Sequence, residues 1–303
     1  MKVLIAGCGY VGVALGLALN ERGHEVWGLR RDASSLPAAI RPISADLGSP
    51  RDLAELPPDL EQIVYCAGAD EASDAAYQRA YVDGPRHLLA ALRGSAVQHF
   101  FFTSSTAVYA QAAGEWVDES SETLPRHFSG RRLLEGERWI EEQPIPCTIL
   151  RCSGIYGPGR TRLVQSVLDG SARVSERFTN RIHRDDLAGA IVHLLVTGQK
   201  PKLLLLSDDE PAPERDVLGY LARCLVIPEP ANVTAPASEL PARGTKRCNN
   251  ARLRATGYRL RYPTYREGYA ALIAELAATG QLRKSSPLEP ASVTESRSSQ
   301  ASS

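Results

Sequence analysis

The sequence is poor in several features that would assign a chain to a class at once. It carries no net charge, because 35 Lys and Arg balance 35 Asp and Glu. That gives no support for charge-driven binding to nucleic acid or to a membrane surface. Its six cysteines (Cys8, Cys66, Cys147, Cys152, Cys224 and Cys248) are scattered, with no C-x-x-C pair and no Cys/His cluster at metal spacing. They read as reduced thiols filling a core, and no metal site is expected. Long apolar runs are also missing. One uncharged stretch, residues 3–20, could pass for a membrane span or a signal, but Gly7, Gly9, Gly12 and Gly16 interrupt it and no second candidate follows. Ile5-Ala6-Gly7-Cys8 resembles a lipoprotein processing site, yet the apolar stretch ahead of Cys8 is too short to act as a signal. A cytoplasmic protein is expected, without internal repeats. Its 303 residues, 43% of them hydrophobic, allow about two domains or one large domain with an appendage.

What is present begins at the first residues. Lys2-Val3-Leu4-Ile5-Ala6 reads as a buried strand. Gly7-Cys8-Gly9-Tyr10-Val11-Gly12 follows as a G-x-G-x-x-G turn, and Val13 to Arg22 as a helix closed by Gly23. Strand, glycine turn and helix in this order are the context of a dinucleotide site. Gly7 permits the sharp turn, Gly9 lets a pyrophosphate approach the backbone, and Gly12 lets the helix pack on the strand. The free N–H groups of the helix start then face the phosphates.

Further along, strands and helices alternate. The second strand, over 25–29, ends in Arg30 and Arg31, where an acidic residue would select NAD by holding the ribose hydroxyls. Two arginines there favour the 2′-phosphate of NADP over NAD, with Asp32 placed past the contact. A third strand over 41–47 ends in Asp46 and Leu47, with the Asp46 carboxylate offered to the adenine amino group. A fourth, over 62–68, ends in the small residues Ala67 and Gly68, which leave room for a cofactor. One helix is expected over 74–93. Strand 97–102 runs into Thr103-Ser104-Ser105-Thr106, hydroxyls at the strand end where ligands bind in open α/β sheets. A helix over 129–142, a strand over 147–151, a loop over 153–160, helices over 185–196 and 214–225 and a strand over 203–207 follow. Residues 228–245 read as a Pro- and Ala-rich loop, and 283–303 as a disordered tail. The pattern implies an α/β protein, a doubly wound parallel sheet of Rossmann type with a smaller C-terminal substrate domain. The expected boundaries are 1–155 for the cofactor domain, with 179–200 contributing, and 156–282 for the smaller one.

With these residues assembled, the chain resembles the extended short-chain dehydrogenase/reductase superfamily, the NAD(P)-dependent epimerases and dehydratases. Within it the chain resembles an atypical bacterial branch described as nucleoside-diphosphate-sugar epimerases. Tyr81-Val82-Asp83-Gly84 resembles the family's N-V-x-G helix. Ser104-Ser105-Thr106-Ala107-Val108-Tyr109 resembles its S-S-x-x-V-Y strand end. Leu150-Arg151 to Gly157-Pro158-Gly159 resembles its L-R-x-x-x-V-Y-G-P-G loop, and Ile182-His183-Arg184-Asp185-Asp186-Leu187-Ala188 its I-H-V-D-D-L-A segment. The N-terminal glycines differ from the usual T-G-x-x-G-x-x-G.

The resemblance implies a catalytic Ser, Tyr and Lys. Ser105 stands in the Ser position, but Phe128 stands where the Tyr belongs and Arg132 where the Lys belongs, and Tyr81 replaces the helix Asn. Phenylalanine has no proton to exchange, while Arg132 could still hold a ribose. Two readings follow. One is an NAD(P)-dependent oxidoreductase or epimerase on a small polar, nucleotide-sugar-like substrate, its acid/base moved to His127, Tyr81, Tyr109, Asp118 or Glu119. The other is a non-catalytic NADP(H)-binding regulator. Arg160 and Lys246 are candidates for holding an anionic substrate, and His183 is expected to be structural. No nucleic-acid or membrane partner is expected, and a homodimer stays open.

Overall fold

The computed structural model describes residues 1–230 and 245–282. In chain order its elements are β1 (Lys2–Ala6), α1 (Tyr10–Asn20), β2 (Glu25–Arg30), β3 (Arg41–Ser44), β4 (Gln62–Tyr65), α2 (Asp74–Gln78), α3 (Gly84–Ala91), β5 (His99–Ser105), β6 (Glu115–Val117) and α4 (Phe128–Glu141). Then come β7 (Cys147–Cys152), β8 (Gly154–Tyr156), α5 (Arg162–Leu168), β9 (Phe178–Thr179), β10 (Arg181–His183), α6 (Arg184–Thr197), β11 (Leu203–Leu206), β12 (Ala212–Pro213), α7 (Glu214–Leu225), β13 (Lys246–Cys248), α8 (Ala251–Ala255) and α9 (Tyr265–Ala278).

Seven strands form one sheet in the order β11-β7-β5-β4-β1-β2-β3, and every neighbouring pair is parallel. The strand order reverses between β1 and β4, which opens a crevice at their carboxyl ends. Both faces of the sheet are covered, so its strands are apolar on both sides. Alternate residues divide between two cores. Val3, Ile5, Val64 and Phe101 pack with Leu15 and Leu19 of α1 and Ile191 and Leu195 of α6. Leu4, Ala6, Ile63, Tyr65, Phe100 and Phe102 pack on the other face with Leu88 of α3 and Ile140 of α4. A third core, including Val164, Leu218, Leu221, Tyr265, Tyr269 and Leu272, belongs to the smaller C-terminal unit.

Three differences from the sequence reading have physical causes. The single helix expected over 74–93 is broken by a π-type turn at Arg79–Asp83. Pro85 has no N–H to give the Tyr81 carbonyl, the Gly84 N–H reaches back to the Arg79 carbonyl, and the Ala80 carbonyl this leaves accepts from the Tyr65 hydroxyl. Strand β5 runs to Ser105, so Thr103 and Ser104 are strand residues. The short pairs β8–β10, β9–β12 and β6–β13 were not expected, being of two or three residues each. The loop expected over 228–245 lies outside the described residues except at its ends, and the tail over 283–303 lies wholly outside. Among the described residues, no helix is long and apolar enough to cross a membrane, and no group of His, Cys, Asp or Glu could hold a metal.

Candidate functional site

A cavity of about 950 Å³ occupies the crevice at the carboxyl ends of the strands. Gly7, Gly9, Tyr10 and Val11 form its floor. Gly7 has φ +82°, and a Cβ there would lie 2.3 Å from the Ala67 backbone, so only glycine fits. Gly12 packs α1 on β1, where a Cβ would come within 2.9 Å of Ile5. Gly9 is different. A Cβ there would find no protein atom nearer than 4.0 Å and would project into open space beside the cavity floor. Gly9 precedes α1 without any side-chain cap, so the first-turn N–H groups at Tyr10 and Val11 have no intrahelical partner. An uncapped helix start beneath a bare glycine fits a pyrophosphate. Cys8 sits behind the turn, fully buried. The Tyr10 ring carries Arg160 at 4.2 Å and Arg184 at 5.2 Å from its centroid.

One end of the cavity is strongly charged. Arg30, Arg31, Asp32, Asp46, Leu47, Asp70 and Arg79 line it. Arg31 donates to Asp70 at 3.1 Å. Asp32 reaches this wall, although the sequence reading set it past the contact, and its carboxylate accepts from the Ser34 N–H and hydroxyl. Asp46 turns its carboxylate onto the Gly48 N–H at 2.8 Å. Ala67 and Gly68 line the middle.

The other end is lined by Tyr77, Tyr81, Thr103, Ser104, Ser105, Cys152 and Ser153. Ser105 accepts from the Ala107 N–H, which leaves its own proton to give. Thr103 donates to the Tyr65 carbonyl, and Ser104 donates to Glu137 in a buried network. There Arg151 pairs with Glu137 at 2.7 Å and donates to the Tyr109 hydroxyl at 3.0 Å. Burial pushes the Tyr81 phenol up to about 12 and the Cys152 thiol up to about 12. It pushes the Cys66 thiol up as well. These groups are protonated at neutral pH and are poor bases or nucleophiles.

Phe128 and Arg132 do not line the cavity. They point from α4 toward α2. The Phe128 ring meets Tyr77 edge-on at 5.5 Å, and Arg132 grips both oxygens of Asp74 at 2.8 Å and also reaches Glu135. Glu137 faces β5 through Ser104, and Leu133 belongs to the core that holds Val108, Tyr109 and Val117. Of the other acid/base candidates, Tyr81 lines the cavity and His127, Tyr109, Asp118 and Glu119 do not. Glu119 is buried and accepts the Leu205 N–H, Tyr109 supports Arg151, and Asp118 accepts from Ser120 and Ser121. Arg160 lines the cavity, whereas Lys246 is buried in β13 with its Nζ on the Tyr109 carbonyl. His183 is buried, caps α6 and packs between Tyr156 and Tyr262. The sequence reading missed Tyr77 and Arg79. The signal was the i, i+4 spacing from Tyr77 to Tyr81, which puts both on one helical face.

The sequence profile of the NAD dependent epimerase/dehydratase family matches residues 3–204. The chain belongs to that family. It is an NAD(P)-binding, oxidoreductase-like member of the extended short-chain dehydrogenase/reductases, a family whose cofactor is a nicotinamide dinucleotide. Among its relatives is a 3-diazoavenalumate denitrifying reductase of Streptomyces, 30% identical over 88% of this chain and 99% of that one. The protein YeeZ of Escherichia coli is 34% identical over 66% of this chain and 74% of its own length. A Methylobacillus flagellatus structure described as an NAD-dependent epimerase/dehydratase superposes with TM-score 0.79 at 41% identity, over 91% of this chain and 98% of that one. The UDP-glucuronic acid 4-epimerase of Bacillus cereus, solved with UDP-glucuronic acid and NAD, shares the fold at TM-score 0.79 and 19% identity, over 92% of this chain and all of that one.

Proposed function

We propose that the protein is an NADPH-preferring reductase of a small polar acceptor, working without the family's Tyr and Lys. The observation that carries this reading is the composition of the cavity. Among the described residues its lining holds no His, Glu or Lys, and its only carboxylates are Asp32, Asp46 and Asp70, all at the end with the arginines. An epimerase must take a proton from an alcohol and later return one, which needs a base with a pKa near the working pH. Here the far end offers hydroxyl donors. Reduction asks less of the protein, because the cofactor when bound would supply hydride, and the one proton the acceptor oxygen then takes up could pass through the Ser105 hydroxyl from solvent water, with no base needed.

Ser105, with its proton uncommitted, is the donor for that oxygen, and Tyr77 and Tyr81 wall the same space. Arg30 and Arg31 support NADP(H) over NAD(H), and Gly7, Gly9 and Gly12 with the α1 start hold the pyrophosphate. Arg160, on the ring of Tyr10 above the glycine turn, is better suited to a cofactor phosphate than to a distant substrate. The Streptomyces relative's name describes a reductase of 3-diazoavenalumate, and reduction rather than epimerisation is the chemistry it lends here.

A second reading, a binder without turnover, is favoured by one observation: Arg132 is tied to Asp74 and Glu135 and does not line the cavity. Incubation of the protein and NADPH with aldehydes, ketones, quinones and diazo compounds separates the two. A reductase oxidises NADPH with at least one acceptor class and loses that rate in Ser105→Ala. Binding of NADPH with no oxidation across the panel supports the binder.

A further inference from the structure

The end of the cavity that holds Arg30 and Arg31 contains an anion of the protein's own. The Asp70 carboxylate lies between two guanidinium groups that come from separate segments. Its Oδ2 accepts from Arg31 Nη1 at 3.1 Å, at the end of β2, and its Oδ1 lies 4.0 Å from Arg79 Nη2, in the π-type turn after α2. Arg79 also stands 3.9 Å from Glu71. Arg31, Asp70 and Arg79 all line the cavity.

We propose that Asp70 occupies the seat of the cofactor's 2′-phosphate as an internal counter-anion, and that NADP(H) binds by displacing it from Arg31 and Arg79. The inference rests on the reading of this end as the adenosine site.

Three physical arguments support it. The three side chains are about half exposed, at 67%, 49% and 56% for Arg31, Asp70 and Arg79, so the ion pairs hold Asp70 only weakly and it can leave. A phosphate carries about −1.5 to −2 charges and three acceptor oxygens, and competes well against one carboxylate for two guanidinium groups. Of the other acids at this end, Asp32 is committed to Ser34, and Glu71 accepts from Ser73 and reaches Arg79 only, so Asp70 is the group whose removal changes the seat. Arg31 also holds Asp70 ionised, depressing its carboxyl pKa through their hydrogen bond. The result is a specificity device. Asp70 opposes NADP(H) by occupying its phosphate site and by repelling it, and leaves NAD(H), which has no 2′-phosphate, unaffected.

The test is calorimetric titration of wild type, Asp70→Asn and Arg79→Ala with NADPH and with NADH. Asp70→Asn keeps the shape and removes the charge, and should tighten NADPH about 3- to 10-fold while moving NADH less than about 2-fold. Arg79→Ala should weaken NADPH selectively. NADH binding shows that each variant is folded. An Asp70→Asn protein with NADPH affinity unchanged or weaker overturns the proposal. So does a selective loss of NADH, which would mean that Asp70 holds the ribose hydroxyls. If wild type prefers NADH and Asp70→Asn still gains NADPH affinity, the NADP(H) preference falls and the displacement stands. If no protein binds either cofactor, both fall.

Discussion

The two ends of the cavity were built under different constraints. At the glycine turn every element agrees. Gly7 is locked by its φ and by Ala67, Gly12 by Ile5, Gly9 leaves a bare floor, and the α1 start is uncapped. At the end lined by Ser105 and Tyr81, the strand end is intact, but Phe128 and Arg132 lie outside the cavity. The strand end, the buried Ser104–Glu137–Arg151–Tyr109 network and the Ser105 hydroxyl remain, while Phe128 and Arg132 face α2. On the reading proposed above, holding a dinucleotide and moving a proton are separable in this fold.

The largest effect should come from the scaffold of the far end. Glu137→Gln leaves Arg151 buried without its counter-charge, and should cost about 3–5 kcal/mol in urea unfolding. A loss under about 1 kcal/mol would mean the network is not a structural support. Two glycines of one motif should then separate sharply. Gly7→Ala should destabilise by roughly 3 kcal/mol or more, because its Cβ meets backbone. Gly9→Ala should lose less stability than Gly7→Ala and bind NADPH at least about 10-fold more weakly. Equal stability losses for both would remove the distinction between a fold glycine and a binding glycine.

A fair part of this contrast was legible in the sequence. The glycine turn, the arginines ending β2 and the strand end at Ser105 declare themselves because each is local, with residue type and position a few steps from a strand. The diversion of Arg132 was not legible, because its cause, Asp74, lies 58 residues away on another helix. The break at Arg79–Asp83 depends on a hydroxyl from β4, and the meeting of Arg31, Asp70 and Arg79 joins three segments. The strands of two and three residues carry no readable period. That Phe128 stands where the family resemblance expects a Tyr could be read in the sequence, whereas the direction in which Phe128 points could not.

The lining of the far end makes a finer prediction. With no imidazole or carboxylate there among the described residues, and with Tyr81 pushed up to about 12 by burial, turnover of any acceptor should show no inflection between about pH 6 and pH 9. An ionisation near pH 7 in kcat would place a base in the site and undo the contrast between its ends. The smallest effect is expected from Phe128→Tyr with Arg132→Lys. Both positions lie outside the cavity, so NADPH affinity should change less than about 2-fold and no epimerase activity on UDP-sugars should appear. Gain of that activity would show that the native pair was the block.

The central claim is that the glycine end still holds NADP(H). Calorimetric titration of wild type with NADPH and NADH, beside Arg30→Ala, tests it most directly. The account predicts NADPH binding at roughly 10 μM or tighter, weakened about 10-fold in Arg30→Ala, with NADH little affected by the substitution. No heat from either dinucleotide at about 1 mM would contradict it.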